Sequence, residues 1–387
     1  MTEFKGIKKI LIIKLRHIGD VLLIIPAIRA LKDTFPDASI SVLVNAGTED
    51  VLKGNPLIGE LIVLDRGVKI LPVIKRYAKE VGFLKTIRQK GFDMTVDLTG
   101  GDRAAIMSFA SRAGYRLGRV FRKGFIGKKY MYTHLSAEPE GRKHTVLQNL
   151  GVVKGFGINT ENLSVDFYIP EEDRLFIKKI LTPDASRITY NAIVHVHPTS
   201  RWLFKCWKDE AMAEVIVWLL ERGAAVIITS SPDIREVEKA RTILSLVSSR
   251  ITHHASRLID LCGKTTIKQL GAISEASDLF FGVDSAPMHI AAAVGTPVIA
   301  LFGPSGAFDW GPWDNAEGQG AGGRGQGNPY PKKNGIQRFG KHTVIQRDWD
   351  CIPCGEDGCE GSKISDCLDD IKPAEAVEII ERHLKRL

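Results

Sequence analysis

Residues 8–44, KKILIIKLRHIGDVLLIIPAIRALKDTFPDASISVLV, decide the fold. KKILIIK is a short apolar run rich in isoleucine, the pattern of a strand buried on both faces. GDVLLIIPAIRALKDTF then takes helical spacing, and SISVLV returns to a strand. Strand, helix and strand in this order make a βαβ unit, which implies a parallel sheet covered by helices on both faces. ELIVLD, a basic helical segment near residues 71–90, and FDMTVDL extend the alternation toward residue 120.

A second series begins at residue 191. It runs AIVHV, a helix over Asp209–Arg222, AAVIITS, a helix over 233–247, a strand near 258–262, a helix over 266–276, DLFFGV and PVIALFG. Two doubly wound α/β halves are the simplest architecture that this spells. Asn159 to Asn191, with Pro170 and Pro183, reads as the connection, placing the boundary near residue 180 and the domains at 1–180 and 181–387. Glu317–Gly335 (EGQGAGGRGQGNPYPKKNG) reads as a mobile loop, too rich in glycine to bury a core. The last segment, from Pro373, reads as an amphipathic helix expected to pack back toward the N-terminal domain.

Composition bounds the function. The 387 residues carry a net charge of +8, with 44% hydrophobic and 25% charged residues, which excludes disorder, collagen or coiled coil for the bulk of the chain. Six cysteines are too few for a disulfide scaffold. The N-terminal apolar run is short, is interrupted by Lys14 and Arg16 and lacks a small-residue cleavage site. No signal peptide is read from it, and the cytoplasm is the expected compartment. The longest charge-free stretch, Ser285 to Ala307, matches a bilayer in length, but Pro287, Gly295, Pro297, Gly303 and Pro304 divide it into a short helix, a turn and a buried strand. The basic balance raises nucleic-acid binding, yet no recognition motif accompanies it.

In open α/β sheets ligands bind beyond the carboxyl ends of strands, so the loops there are the candidates. After the first strand comes Lys14-Leu15-Arg16-His17-Ile18-Gly19-Asp20, where Gly19 permits a tight turn and Asp20 is either a helix cap or a reactive carboxylate. The glycine spacing of a dinucleotide fingerprint is absent. After the first strand of the second half comes HPTSRWLFKCW, residues 197–207, whose hydroxyls and cations suit a diphosphate; its other reading is a solvent loop with tryptophans on the domain edge. The third loop, residues 281–289 (FGVDSAPMH), opens a small-residue helix. There Asp284 and Ser285 either cap the helix or help hold an anion, and His289 is either a ligand or a core histidine.

Together, IGDVLLIIPAIRALK, HPTSRWLFKCW and GVDSAPMHIAAAVGTPVIALFGPS resemble glycosyltransferase family 9, the lipopolysaccharide heptosyltransferases, in order and over essentially the whole chain. The middle stretch resembles the heptosyltransferase III branch. The resemblance implies a GT-B fold, two Rossmann-like doubly wound domains facing across a cleft. It implies transfer of L-glycero-D-manno-heptose from ADP-heptose to an inner-core heptose of lipopolysaccharide, inverting, with neither metal nor other cofactor. Asp20 matches the family's general base. Thr199, Ser200 and Lys205 match its diphosphate loop; Asp284 and Ser285 match the segment holding sugar and phosphates, and His289 follows on the same helix. Gly263 and Thr265 match a nucleotide-pocket segment. For the ribose hydroxyls a carboxylate is expected after AAVIITS, either Asp233 or Glu236; spacing does not choose between them. On the acceptor side stand Lys14, Gly19, Arg116 and His144.

Inner-core lipopolysaccharide is anionic, so a basic N-terminal half would attract it. One basic cluster is Lys69, Lys75, Arg76, Lys79, Lys85, Arg88 and Lys90. A second is Arg119, Arg122, Lys123, Lys128 and Lys129, interleaved with Phe121, Phe125 and Tyr130. These read either as solvated faces or as a surface for the acceptor and an anionic membrane, without insertion. That would place the protein peripherally on the inner face of the inner membrane.

Two further patterns stay open. Asp348-Trp349-Asp350 spells D-x-D, a metal motif of a different glycosyltransferase fold, but it follows both sheets. Cys351, Cys354, Cys359 and Cys367, spaced C-x2-C-x4-C-x7-C, read as a structural zinc site, a redox pair or plain thiols. A related glycosyltransferase with another nucleotide sugar, or a glycan-binding protein that keeps the fold without catalysis, competes with the leading reading.

Overall fold

The opening apolar run forms β1 (Lys9–Lys14), in which every residue after Lys9 is buried. Each such isoleucine or leucine contributes roughly 1.5–3 kcal/mol relative to exposure. The structure is a computed structural model describing residues 3–65, 72–120, 124–138, 141–181, 191–251, 255–317 and 328–385. The helix expected next is broken in two, α1 (Ile18–Leu22) and α2 (Ile25–Thr34). Pro26 causes the break, because it has no N–H to donate and its ring crowds the carbonyl four residues back. β2 (Ser39–Asn45), β3 (Glu60–Leu64), α3 (Val73–Gln89), β4 (Met94–Asp97) and α4 (Asp102–Ala110) follow. β5 (Tyr115–Arg119), β6 (His134–Ser136) and α5 (Thr145–Lys154) complete the first unit, which ends at Tyr168.

Its sheet is six-stranded in the order β3-β2-β1-β4-β5-β6, and every pairing is parallel. Chain order reverses between β1 and β4, so the switch point lies beyond Lys14 and Asp97.

The second unit begins at Ile169, earlier than the boundary expected near 180. The reason is α6 (Glu171–Leu181), which packs on a helix of the second unit, α9 below, with Arg174 clasping Glu275 through Nε at 2.6 Å and a second guanidinium nitrogen at 2.9 Å. Then come β7 (Ile193–His197), α7 (Asp209–Glu221), β8 (Ala225–Ile228), α8 (Ile234–Ser248), β9 (Leu258–Asp260), α9 (Ile267–Glu275), β10 (Leu279–Val283), α10 (Ala286–Ala293) and β11 (Val298–Leu301). α11 (Ala307–Trp310), the hairpin β12 (Gln337–Phe339) and β13 (His342–Ile345), α12 (Asp366–Asp369) and α13 (Pro373–Leu384) finish the chain.

The second sheet is seven-stranded, β12-β13-β11-β10-β7-β8-β9, parallel except for the β12–β13 hairpin. Its switch point lies between β7 and β10, beyond His197 and Val283. α13 turns Ala376 and Ile380 into the apolar core of this same unit, against α7. Of the glycine-rich stretch, residues 318–327 lie outside the described residues. The remainder is not loose: Tyr330 is fully buried and its hydroxyl donates to the Pro312 carbonyl at 2.8 Å.

Candidate active site

Each sheet offers chemistry at its own switch point. In the first, Lys14 ends β1 buried, and its ammonium donates to the Leu98 carbonyl and to Asn149 Oδ1, both at 3.0 Å. Burial pulls the Lys14 ammonium down to about 8, against the opposing pull of Asp20 and Asp97. Asp20 lies in the first turn of α1, half-buried, and among the described residues none hydrogen-bonds to its carboxylate. That leaves the carboxylate available to a substrate hydroxyl. Gly19 is buried inside α1 with a helical backbone, so it does not make the tight turn expected of it.

Across the same switch point Asp97 is buried, and burial raises its carboxyl above the usual range. It accepts from the Tyr132 hydroxyl at 2.5 Å and from the Thr99 and Gly100 amides at 2.7 and 3.0 Å. Thr99 in turn fixes the Asp20 loop by accepting from the Leu15 amide at 2.8 Å.

Two expected acceptor-side residues have structural duties. Arg116 pairs in register with Thr95, three residues short of the carboxyl edge and so about 10 Å from it. Its guanidinium is committed to the carbonyls of Met131 at 2.8 Å and Ala113 at 2.7 Å. His144 is fully buried and caps α5, its Nδ1 accepting from the Val146 amide at 3.2 Å. The second basic cluster is open surface only in part, with Lys129 and Tyr130 exposed and two of its cations committed within the fold. Lys128 is buried and donates to the Gly100 carbonyl at 2.7 Å, while Arg119 donates to the Gln148 carbonyl. Lys69, Phe121, Arg122 and Lys123 and the side chain of Arg76 lie outside the described residues.

The second switch point gathers most of the expected donor-side residues. Lys205 Nζ meets Asp284 Oδ2 at 2.6 Å. Asp284 is buried, which pushes its carboxyl up, but the Lys205 charge, hydrogen bonds from Lys205 and Ser305, and nearby His289 outweigh this and hold it below the ordinary carboxylate range. Ser285 begins α10 without a side-chain cap, its hydroxyl turned back to the Val283 carbonyl at 3.2 Å. His289 is buried on the following turn of α10. Ser200 is held by its own loop: its amide donates to Cys206 Sγ at 3.2 Å, and its hydroxyl accepts from the Trp202 amide at 3.3 Å. Thr199 is fully buried and donates to Glu236 Oε2 at 2.9 Å, and Ser231 donates to the other oxygen at 2.6 Å.

The structure gives Asp233 and Glu236 different settings. Asp233 caps α8 through the Arg235 amide at 3.0 Å and is paired with the Arg235 guanidinium, which lowers its carboxyl. Glu236, one turn along, is buried and tied to the switch-point loop. Gly263 comes up beside this helix start with φ +69°, and a Cβ there would lie 3.0 Å from Val237 Cγ2. Thr265 is half-buried just before the α9 cap and no hydrogen bond brings it to the Glu236 cluster.

Sequence reasoning missed Ser231, Asn149, Thr99 and the Asp97–Tyr132 pair. Ser231, Asp97 and Thr99 carried a positional signal, standing at or just past the carboxyl ends of β8 and β4, whereas Asn149 and Tyr132 carried none. Beneath the site, His195 and His197 share the Thr229 hydroxyl at 2.7 and 2.8 Å. Burial drives both imidazoles down, His197 to about 3, so they are neutral spacers.

Asp348 and Asp350 follow β13, outside both switch points. The four clustered cysteines carry free thiols, and Cys367 is pushed up to about 12 by burial and by Cys359, Cys354 and Cys351. Among the described residues no group of three or more His, Cys, Asp or Glu side chains is placed to hold a metal ion.

Comparison with known proteins supplies the remaining facts. The profile of glycosyltransferase family 9 (heptosyltransferase) matches residues 81–333. Lipopolysaccharide heptosyltransferase 3 of Escherichia coli K12 is 32% identical over 302 residues, covering 77% of this chain and 83% of that protein. Among solved structures, a family 9 glycosyl transferase from Veillonella parvula superimposes with a TM-score of 0.74 at 19% identity, over 98% of both chains. The E. coli ADP-heptose lipopolysaccharide heptosyltransferase II does so with a TM-score of 0.72 at 18% identity, over 98% of this chain and 99% of that one.

Proposed function

The chain belongs to glycosyltransferase family 9, the heptosyltransferases, and on that premise we infer that it moves L-glycero-D-manno-heptose from ADP-heptose to an inner-core heptose of lipopolysaccharide, in the manner of heptosyltransferase III. The fold is GT-B, as the resemblance implies. The observation that carries the donor assignment is the pairing, at one switch point, of a buried lysine–aspartate contact with a buried glutamate that accepts two hydroxyls. A diphosphate needs a cation and hydroxyl donors, and a ribose needs a carboxylate. Lys205 and Ser200 would meet the first need, with Thr199, whose hydroxyl proton is committed to Glu236, holding that carboxylate in place. Glu236 would meet the second, with Asp233 left as a cap.

The reaction is a single inverting displacement. The acceptor hydroxyl oxygen attacks the anomeric carbon, its proton passes to the Asp20 carboxylate, and the carbon–oxygen bond to the β-phosphate breaks with its electron pair leaving on ADP. Lys205 neutralises the charge that gathers there, which is the role a divalent cation plays in other transferases. Transfer is therefore expected to continue in the presence of chelator. Lys14 and the buried loop around Gly19 hold Asp20 in place for the acceptor, whose anionic groups favour the Lys14 charge. Asp284 and Ser285, with His289 behind them, fix Lys205 and the start of α10 against donor sugar and phosphates.

Among the described residues no helix is long and apolar enough to cross a membrane. The lipid-anchored acceptor then requires a peripheral contact with the anionic inner face of the inner membrane, with exposed Lys75, Lys85 and Arg88 of α3 facing it. The test is transfer with ADP-heptose and a panel of truncated core acceptors, wild type beside Asp20→Ala, reading product mass. Product on a diheptosylated acceptor, absent in the variant that still binds donor, supports the reading; retained turnover in Asp20→Ala would sink the base assignment.

A further inference from the structure

The apolar anchoring of α3 lies in its second half. Ile87 is buried and Phe83 and Leu84 are half-buried against the first unit's core, whereas its opening turns expose Val73 by 61%, Ile74 by 83% and Val81 by 64%. With exposed Tyr77, these residues span about 100° of the helix circumference, a continuous apolar stripe. Neighbouring α4 exposes Ile106, and a cavity of about 270 Å³ lined by Val63, Phe83, Leu84, Ile106 and Met107 opens between the two helices. Beyond α4, the tip of a turn between two left-handed glycines, Gly124 and Gly127, holds Ile126 fully exposed. Lys128 pins that turn to the start of α4, at 2.7 Å from the Gly100 carbonyl and 3.2 Å from Asp102.

A lone exposed aliphatic is ordinary, but exposed apolar side chains on α3, on neighbouring α4 and on the turn pinned to the start of α4 mark a surface built for contact. Charge selects the partner. Lys85 borders the stripe, Arg88 continues its line two turns on and Lys75 lies further round the helix; none makes an ion pair among the described residues, while Lys79 and Glu80 are occupied by Asp65 and Arg103. A second copy of the chain would bring the same uncompensated positive charge and be repelled. An anionic lipid surface satisfies both the apolar stripe and these cations.

Topology gives the contact a purpose. α3 follows the carboxyl end of β3 and α4 that of β4, so both helices start at the edge of the sheet that carries the Asp20 loop. We propose that the first turns of α3, with Ile106 and the Ile126 turn, insert at the headgroup boundary of an anionic bilayer and hold that edge at the lipid surface. This deepens the electrostatic membrane contact of the heptosyltransferase reading into insertion, and only its purpose rests on that reading.

The test sediments the full chain with vesicles of phosphatidylcholine, alone and mixed with phosphatidylglycerol, at low salt and at about 0.5 M salt, where surface attraction is screened. The wild type is expected on the mixed vesicles at low salt, with a fraction that salt does not remove. Ile74→Ser combined with Val81→Ser and Ile126→Ser should lower that salt-resistant fraction about tenfold. Lys75→Gln with Lys85→Gln should instead lose the preference for phosphatidylglycerol. Equal binding of the serine variant and wild type at both salts would overturn the proposal. So would a wild-type dimer in solution that the serine variant dissolves, since that assigns the face to a second copy. The exposed sites leave folding untouched, and transfer to a deacylated, water-soluble core without vesicles should be the same in variant and wild type. Failure of that transfer counts against the heptosyltransferase reading and leaves the vesicle result standing.

Discussion

Lys205 Nζ lies 2.6 Å from Asp284 Oδ2, joining the loops at the carboxyl ends of two adjacent parallel strands, β7 and β10. The contact aims a cation into the second switch point and leaves two of its protons for a ligand. Lys205→Ala should lower kcat about 10²–10³-fold by removing a donor to the leaving diphosphate. Asp284→Asn, which frees the lysine, should raise donor KM more than it lowers kcat; steady-state kinetics with varied ADP-heptose separate the two.

Glu236 and Asp233 offer a paired experiment. Glu236→Gln keeps an acceptor for Thr199 or Ser231 but loses the charge, and donor KM should rise about tenfold. Asp233→Ala should lower the melting temperature slightly through the lost cap while donor KM stays put. Equal effects on KM would reverse the assignment.

Lys14 makes both stability and activity depend on pH. Its ammonium titrates at 10.5 unfolded and at about 8 folded, so the unfolded chain binds more protons between these values. Its contribution to stability therefore rises as pH increases through that window and is absent below it. Activity should run the other way, with a falling limb near pH 8 as the charge beside Asp20 disappears. In Lys14→Met the overall rate should be lower and that limb missing from the pH profile.

Gly282 of β10 pairs in register with His197 of β7. A Cβ there would come within 2.5 Å of the His197 carbonyl and 3.0 Å of the Phe280 ring. Gly282→Ala should destabilise by about 1–3 kcal/mol by forcing the strands apart. A thermal melt reads this directly, and donor affinity should fall with it because Lys205 and Asp284 hang from these strands.

The long apolar runs made both central sheets legible, because strands buried on two faces leave no room for polar residues. β5 and β6 were not, since YRLGR and HLS are short and polar and gain their place from pairing alone. The β12–β13 hairpin hid behind the glycine-rich stretch for the same reason. At the switch points, residues adjacent to strand ends could be located by position, as Lys14, Asp20, Thr199, Lys205 and Asp284 were, while the roles proposed for them come from the family resemblance. Asn149 could not, because its bond to Lys14 spans 135 residues and leaves no local trace. The hydrogen bonds of Arg116 and His144 were hidden for a complementary reason: a basic side chain in sequence does not reveal which backbone carbonyls or helix end it engages.

Both sheets wind outward from their first strand in one order, and the apolar clusters described for the two units each draw on residues of their own unit. On the proposed reading, acceptor preference would lie with the first unit and donor preference with the second, open to separate mutational drift. A chimera joining either half to its counterpart from another heptosyltransferase should inherit one preference from each parent.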